Sequence, residues 1–314
     1  MPADIVAIDL GGTHLRVARF DGSSPSPLQS NKIETQADKG PDHVIGRIVE
    51  AVQQLPAPSG ERRIGIGAPG PLDPVAGIVY EAPNLPGWRN IPLKAKLSAQ
   101  LGWPVSLGND ANLAALAEWR HGAGQGTDHM LYLTISTGIG GGVIVDRQLL
   151  LGAGGLAAEL GHLTVQPDGP RCGCGQRGHL EAVASGPAIA RMAQERVLAG
   201  ETSSLAYRSE PLTAELVGQA AQGGDELAGA VVRQAAAWIG LALASFAHIF
   251  NPQAFVLGGG VTQLGPLLFD PIRQTLEDRI MDSAYLEDLR LVPAALGDDA
   301  GLVGAMVLAA QETA

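Results

Sequence analysis

The feature that most constrains the fold is one pattern that occurs twice in the chain. Its first copy, residues 5–20, consists of an apolar run, a Gly-Gly-Thr turn and an alternating segment. The second copy, residues 131–145, again places a polar pair and a glycine-rich turn, residues 138–142, between two apolar runs. Short apolar runs joined by glycines are typical of β-hairpins. The recurrence predicts two similar α/β domains that face one another.

The segments around the two copies alternate between strand and helix patterns. In chain order, the predicted elements are strand 63–67, helix 111–120, helix 227–250, strand 254–257 and helix 301–310. A chain of 314 residues is long enough for two domains of about 150 residues each. We expect a small α/β domain over residues 1–108, completed by a C-terminal helix within 298–314, and a large α/β domain over residues 109–297.

Composition excludes several classes of protein. With 46% hydrophobic and 17% charged residues the chain has ample material for a core. A formal charge of −11 argues against nucleic-acid binding, which needs clustered basic residues. The apolar stretch 235–250 is shorter than the ~20 residues of a membrane span, so a buried helix is expected and no membrane partner. Only two cysteines and no signal-peptide pattern predict a cytoplasmic protein.

The glycine segments of the repeated pattern are candidate phosphate-binding loops. Glycines allow the backbone to approach a phosphate closely, and an aspartate beside them can act through Mg²⁺. An ordinary hairpin turn is the alternative for each loop alone, but two matching loops can hold a triphosphate between two domains. The turn at 258–260 can likewise approach an adenosine or be a plain turn. The candidate ATP-binding residues are Asp9, Gly11, Gly12, Thr13, Thr137, Gly138, Gly140, Gly258 and Gly259.

Two other nucleotide-binding folds are disfavoured by the same segments. The sequence contains no G-x₄-G-K-[ST] motif, and no G-x-G-x-x-G follows the first strand. The first absence argues against a P-loop fold and the second against a dinucleotide-binding fold.

Asn109 and Asp110 lie at a predicted strand-to-helix junction. A carboxylate at such a junction can face the interdomain cleft and take a proton from an alcohol. Simple N-capping of the helix is the alternative. The two roles can coexist, with Asn109 shaping the turn.

The segment from Glu159 to Glu181 combines metal ligands with carboxylates. Cys172, Cys174 and His179 follow a C-x-C-x₄-H spacing, and His162 precedes them. Thiolates and imidazoles suit Zn²⁺, which favours tetrahedral N/S ligation. The two flanking acids suit sugar hydroxyls, so the metal would hold a polar substrate site. A solvated acidic loop around a structural zinc, or a cluster without zinc, is the alternative.

Together these motifs resemble the ROK family of sugar kinases, and within it the bacterial ATP-dependent glucokinases. The resemblance extends over nearly the whole chain. It rests on D-L-G-G-T at 9–13, A-P-G-P at 68–71, N-L-P-G-W at 84–88, N-D-A-N at 109–112, S-T-G-I-G-G-G at 136–142, E-L-G-H at 159–162 and C-G-C-G-Q-R-G-H-L-E at 172–181. It implies an actin-like (ribonuclease H-like) sugar kinase fold, two α/β domains with an interdomain cleft.

The resemblance also implies roles for particular residues. Asp110 would be the general base on the 6-hydroxyl of glucose, with Mg-ATP as donor and a homodimer or dimer of dimers as the assembly. The sugar would be bound by Gly70, Asn84, Asn109, Asp110, Glu159, His162 and Glu181. A structural Zn²⁺ would be held by His162, Cys172, Cys174 and position 179. The family usually has cysteine there, and His179 in this chain predicts a Cys₂His₂ site.

Three alternative functions remain open from sequence. Kinases for N-acetylmannosamine, N-acetylglucosamine, mannose or fructose share most of these motifs. A sugar-responsive ROK regulator would carry an N-terminal DNA-binding domain, whereas here the first predicted strand starts at Ile5 and the charge is acidic. An ATPase acting on protein or on another small acid or alcohol is the third. The Glu159, His162 and Glu181 set favours a polyol instead.

Overall fold

The computed structural model describes residues 4–56, 62–82 and 84–311. Its strands are β1 (Asp4–Leu10), β2 (His14–Phe20), β3 (Gln29–Glu34), β4 (Arg62–Ala68), β5 (Leu72–Asp73), β6 (Ile78–Glu81), β7 (Arg89–Ile91), β8 (Val105–Asn109), β9 (Met130–Ile135), β10 (Ile139–Val145), β11 (Gln148–Leu149), β12 (Ala254–Gly258) and β13 (Arg290–Pro293). Its α-helices are α1 (Pro41–Gln53), α2 (Leu93–Leu101), α3 (Asp110–His121), α4 (Leu180–Ala184), α5 (Gly186–Leu198), α6 (Ala214–Gln222), α7 (Glu226–Phe250), α8 (Pro266–Arg279) and α9 (Ala300–Gln311).

Two five-stranded sheets repeat one arrangement. The first has the order β3-β2-β1-β4-β8 and the second the order β11-β10-β9-β12-β13. In each, the strand before a glycine loop pairs antiparallel with the strand after it and parallel with a later strand. The hairpins predicted from the repeated pattern are confirmed. A third, three-stranded sheet, β5-β6-β7, lies beyond β4 in the chain.

Helices cover both large sheets and bury their apolar residues. The long helix α7 is apolar and long enough to cross a membrane by composition, but 61% of its most apolar window is buried inside the protein. It packs against α8, α6 and α5. This burial is that of a core helix, because its neighbours supply the apolar surroundings that lipid would otherwise give.

The helices α3 and α9 cross between the two large sheets. A Cβ on Gly304 would overlap the carbonyl oxygen of Leu113 in α3. A Cβ on Gly65 in β4 would likewise overlap the carbonyl oxygen of Ala305 in α9. The C-terminal helix α9 therefore lies directly on α3 and on β4. The helix α9 thus contacts elements of both predicted domains, and its assignment to the first domain stays a prediction. The boundaries at 108 and 297 stay a prediction, and residues 1–3 and 312–314 lie outside the described residues.

The second glycine run differs from the expected turn. The strand β10 begins at Ile139, so Gly140, Gly141 and Gly142 lie inside the strand. A Cβ on Gly140 would lie 2.9 Å from Cβ of Ala111 on α3, and one on Gly142 would lie 2.5 Å from Cβ of Ala115. The glycines are thus required by close helix–strand packing, which brings the start of α3 against the sheet.

Candidate active site

A cavity of about 420 Å³ opens where residues 70–72 after β4, the end of β8, the second glycine loop and residues 155–162 meet. Its wall includes most of the predicted sugar-binding residues and part of the second loop, namely Gly70, Asn109, Asp110, Thr137, Gly138, Gly140, Glu159, His162 and Glu181. Side chains that are far apart in sequence therefore converge on one space. We call it the first cavity.

Asn84 lies outside the wall of the first cavity. Its backbone and Cβ pack instead on the first glycine loop, where a Cβ on Gly12 would lie 2.7 Å from the Asn84 carbonyl oxygen. The sugar contact predicted for Asn84 therefore stays a prediction.

Asn109 caps α3 and also holds the opposite wall of the first cavity. Its Oδ1 accepts hydrogen bonds from the backbone N–H groups of Ala111 at 3.0 Å and of Asn112 at 3.2 Å. Its Nδ2 donates to the carbonyl of Gly70 at 3.2 Å. The expected N-cap is confirmed. The cap makes Asp110 the first residue of the helix and aims it into the cavity.

Asp110 has a raised pKa. Burial raises the pKa of its carboxyl from 3.8 to about 6, and the charges of Asp9 and Glu159 add to the increase. The N–H of Ala111, which donates to Asp110 Oδ1 at 2.8 Å, opposes it. The Asp110 side chain is exposed to the solvent of the cavity, but the surrounding cavity walls replace part of the bulk water around its carboxyl. At pH 7 it is mainly ionised and can accept a proton.

Asp9 lies at the end of β1 against the start of α9. A Cβ on Gly301 would be 3.0 Å from the Asp9 Cγ. Burial raises the pKa of Asp9, and the Arg16 guanidinium partly offsets this. The adjoining turn is fixed by Thr35, whose hydroxyl donates to the carbonyl of Gly11 at 2.7 Å. A carboxylate beside a glycine turn and a helix start can hold a hydrated Mg²⁺ and phosphate oxygens.

Four side chains bring their ligand atoms together within 4.8 Å, namely those of His162, Cys172, Cys174 and His179. The two Nδ1 atoms of the histidines are 3.2 Å apart, and Cys174 Sγ is 3.3 Å from Nδ1 of His179. Two nitrogen and two sulfur donors in one cluster fit the ligand chemistry of structural Zn²⁺. Burial raises the pKa of Cys172 to about 12, so a bound metal would displace its proton.

His162 and Glu181 connect this cluster to the first cavity. His162 turns Nδ1 to the cluster, while its Nε2 lies 4.0 Å from Oε2 of Glu159 at the cavity wall. Glu181 Oε2 accepts from the backbone N–H of Ile139 at 3.0 Å, and its Oε1 accepts from Cys172 Sγ at 3.3 Å. The Cys/His cluster thus shares His162 with the wall of the first cavity and contacts Glu181 in the same wall.

A second cavity of about 790 Å³ adjoins the first. Ser136 and Thr137 of the second glycine loop belong to both walls. Its other walls come from α5, α6 and the 3₁₀ turn Gly260–Leu264 after β12.

Sequence reasoning found only one edge of this second cavity. Gly258 and Gly259 lie just outside its wall, and Gly260 lies in it. The walls supplied by α5 and α6, including Gly186 and Thr213, carry no motif. Their role follows only from the fold.

Comparisons with known proteins identify the family of the chain. The model of the ROK family matches residues 5–312. A glucokinase from Thermotoga maritima is 39% identical over 96% of this chain and 95% of its own. The crystal structure of a ROK family glucokinase from Streptomyces griseus in complex with glucose and AMPPNP has a TM-score of 0.81 and 36% identity, over 98% of this chain and 100% of that one.

The structure of a ROK hexokinase from Thermus thermophilus is equally similar, with a TM-score of 0.83 and 37% identity over 98% of each chain. The predicted actin-like sugar kinase fold, two α/β units around a cleft, is confirmed by these likenesses. A family match over almost every residue, joined to matching folds above 35% identity, leaves one assignment: the chain belongs to the ROK family.

Proposed function

We propose that the protein is an ATP-dependent glucokinase, which transfers the terminal phosphoryl group of ATP to the 6-hydroxyl of glucose. The observation that carries the proposal is the shared wall of the two cavities at Ser136 and Thr137. A sugar in the first cavity and a nucleotide in the second would meet at this glycine loop. The carboxylate of Asp110 lies on the sugar side of that meeting point.

In this reaction Asp110 would accept the proton of the attacking hydroxyl. Phosphoryl transfer depends mainly on positioning and on charge neutralisation, so the base needs a fixed direction more than a high basicity. The Asn109 cap supplies that direction. Glu159, His162 and Glu181 would take the other hydroxyls of the sugar, because carboxylates and imidazoles accept hydrogen bonds from them.

The nucleotide would lie with its adenosine in the second cavity, near Gly260. Its phosphates would reach the backbone of Thr137 and Gly138, while Asp9 and the first glycine loop approach from the other sheet. Asp9 would hold Mg²⁺, which would supply neutralisation of the phosphate charge. The Cys₂His₂ cluster would hold a structural Zn²⁺ that orients His162 and Glu181.

We further propose a cytoplasmic enzyme that assembles as a homodimer or dimer of dimers. Cys172 and Cys174 are free thiols, which suits a reducing compartment. Light scattering of the purified protein would give the assembly mass. A monomer at micromolar concentration would contradict the assembly and leave the catalytic proposal intact.

The substrate is tested by a coupled assay of ADP release with glucose, mannose, fructose, N-acetylglucosamine and N-acetylmannosamine. We expect the highest kcat/KM with glucose, in agreement with the glucokinases among the relatives. A higher kcat/KM for an N-acetylhexosamine would instead assign the chain to that kinase class. ADP release that is independent of any sugar would indicate an ATPase.

A further inference from the structure

Glu118, near the end of α3, is a fully buried carboxylate with 0% exposure. Its Oε2 accepts from the backbone N–H groups of Ala123 at 2.8 Å and of Ala295 at 3.1 Å. Its Oε1 accepts from the N–H of Leu296 at 2.7 Å. One side chain therefore binds two segments that are remote from each other in sequence.

These three hydrogen bonds compensate for the burial of a charge. A buried carboxylate without partners costs several kcal/mol, whereas charge-assisted bonds from backbone N–H groups are among the strongest available to it. Within the part of the chain that the structure describes, Glu118 forms no ion pair with Lys or Arg. The hydrogen bonds from the N–H groups of Ala295 and Leu296 are thus the main compensation for the burial of the Glu118 carboxylate.

The space for the carboxylate is made by Gly122. A Cβ on Gly122 would overlap Oε2 of Glu118. Glycine is therefore required here by the close approach of the Glu118 carboxylate.

The segment that Glu118 holds leads directly to the nucleotide side of the cleft. Leu296 precedes the 3₁₀ turn Gly297–Asp299 and then the start of α9. Arg16 of β2 donates to the Asp298 carbonyl and pairs with the Asp299 carboxylate. Gly301, at the start of α9, lies against Asp9. The segment is consequently fixed from α3 on one side and from the first hairpin on the other.

The opposite end of α3 begins with Asp110. Between its two ends, α3 crosses α9 with backbone contact at Leu113 and Gly304. The bonds of Glu118 to the segment just before α9 add a second connection to these helix contacts. The direction of Asp110 relative to Asp9 is then set by a rigid frame of two helices.

We propose that Glu118 is a positioning residue, which locks α3 to the 295–301 segment and thereby fixes Asp9 and the phosphate site relative to Asp110. The inference rests on the proposed kinase function, but its structural part does not. Loss of the lock misaligns the phosphoryl donor with the base and leaves the sugar site, which is held by Asn109 and the Cys/His cluster, unchanged.

The test is the Glu118→Gln variant, which keeps the shape and replaces one acceptor by a donor. We expect kcat to fall by about tenfold to a hundredfold, since small misplacements of reacting groups have effects of that size. Glucose affinity measured without nucleotide, by tryptophan fluorescence, should stay within about twofold. The affinity for Mg-AMPPNP should fall, and amide hydrogen exchange at 295–301 should accelerate.

A matched control separates positioning from general loss of stability. Leu276→Ala in α8 removes a buried side chain that is 3% exposed and lies in the other core. It should lower the melting temperature at least as much as Glu118→Gln and leave kcat near wild type. Gly122→Ala provides an independent route, because the added methyl group displaces the Glu118 carboxylate, and it should reproduce the loss of kcat and of nucleotide affinity.

A double-mutant cycle with Arg16→Gln adds a measurement that a purely structural role would not alter. Both side chains hold one segment, so their effects on kcat should be clearly less than additive. Native kcat and native Mg-AMPPNP affinity in folded Glu118→Gln would overturn the inference while the kinase function stands. A wild-type protein without sugar-dependent ADP release would overturn the kinase function, and nucleotide affinity and hydrogen exchange would still decide the inference.

Discussion

The carboxylate of Glu181 joins the Cys/His cluster to the second glycine loop, since its Oε2 lies 3.0 Å from the backbone nitrogen of Ile139. Its Oε1 meets the thiol of Cys172 at 3.3 Å. A Cβ on the neighbouring Gly138 would lie 2.5 Å from Oε2, so the loop approaches the carboxylate as closely as glycine permits. The cluster therefore supports the loop that both cavities share, and not only its own segment.

Glu181→Gln tests this connection. The amide can keep the Ile139 contact through its oxygen, but its nitrogen is a donor, so the side chain loses one acceptor for a sugar hydroxyl. We expect KM for glucose to rise by about tenfold, the usual effect of one lost polar contact. Metal content, measured by atomic emission, should not change. Glu195→Gln on α5, an exposed partner of Arg191, is the control, and equal KM values for both variants would refute the role of Glu181.

The pH dependence of the rate should report the raised pKa of Asp110. The base must be ionised, so kcat/KM for glucose should fall below about pH 6, the value to which burial and the neighbouring acids raise this pKa. Asp110→Asn should lower kcat by about a hundredfold or more, since a general base typically supplies 10²–10⁴-fold. It should also remove the fall of kcat/KM at acidic pH. A fall centred near pH 4 would contradict the assignment.

The stability of the folded protein should also depend on the ionisation of Asp110. The pKa of Asp110 is about 6 in the folded protein and near 3.8 when unfolded, so the folded state binds more protons between these values. The ionisation of Asp110 therefore lowers stability as pH rises from about 4 to about 6. The Asp110→Asn protein should melt above wild type at pH 7, and this difference should shrink towards pH 4. Equal differences at both pH values would exclude the effect.

The sequence predicted the polar residues of the site better than the helices that line its cavities. Asp110, Glu159 and His162 were found because strand ends, glycine turns and metal ligands carry local signals. Only the edge of the second cavity at residues 258–260 was predicted, because α5 and α6 contribute ordinary residues whose proximity depends on tertiary packing. The run Gly140–Gly142, which the sequence predicts as a turn, lies inside β10 for the same reason: its glycines make room for α3, which no local pattern reveals.

His179 should be a metal ligand in this chain. Its Nδ1 lies with the other three donor atoms, so His179→Ala should lose most bound zinc and lower the melting temperature. His179→Cys restores a competent thiolate and should retain about one zinc per chain. Glu181 lies two residues after His179, so loss of the metal should displace this proposed sugar ligand. KM for glucose should therefore rise only in the alanine variant. Full zinc content in His179→Ala would show that the metal is held without it.

Ala158, directly before Glu159, has a φ of +68°. This left-handed conformation costs a residue with a Cβ about 1–2 kcal/mol and is severely unfavourable for β-branched side chains. Ala158→Val should therefore displace Glu159 and raise KM for glucose by about tenfold. The matched Ala158→Gly should keep KM and match or slightly exceed wild-type stability. Similar kinetics for the valine and glycine variants would argue that this backbone conformation does not position Glu159.

Gly142→Ala tests whether the packing of α3 on β10 sets the geometry of the base. The added Cβ would lie 2.5 Å from Cβ of Ala115, and overpacking of this kind costs about 1–3 kcal/mol. The strain is relieved only by a shift of α3, so kcat should fall together with stability. Gly46→Ala in α1 is the control, because no atom lies within 4 Å of its new Cβ. Gly46→Ala should stabilise the helix by up to about 1 kcal/mol and keep wild-type kcat. A Gly142→Ala protein with native stability would mean that the sheet, and not α3, accommodates the methyl group.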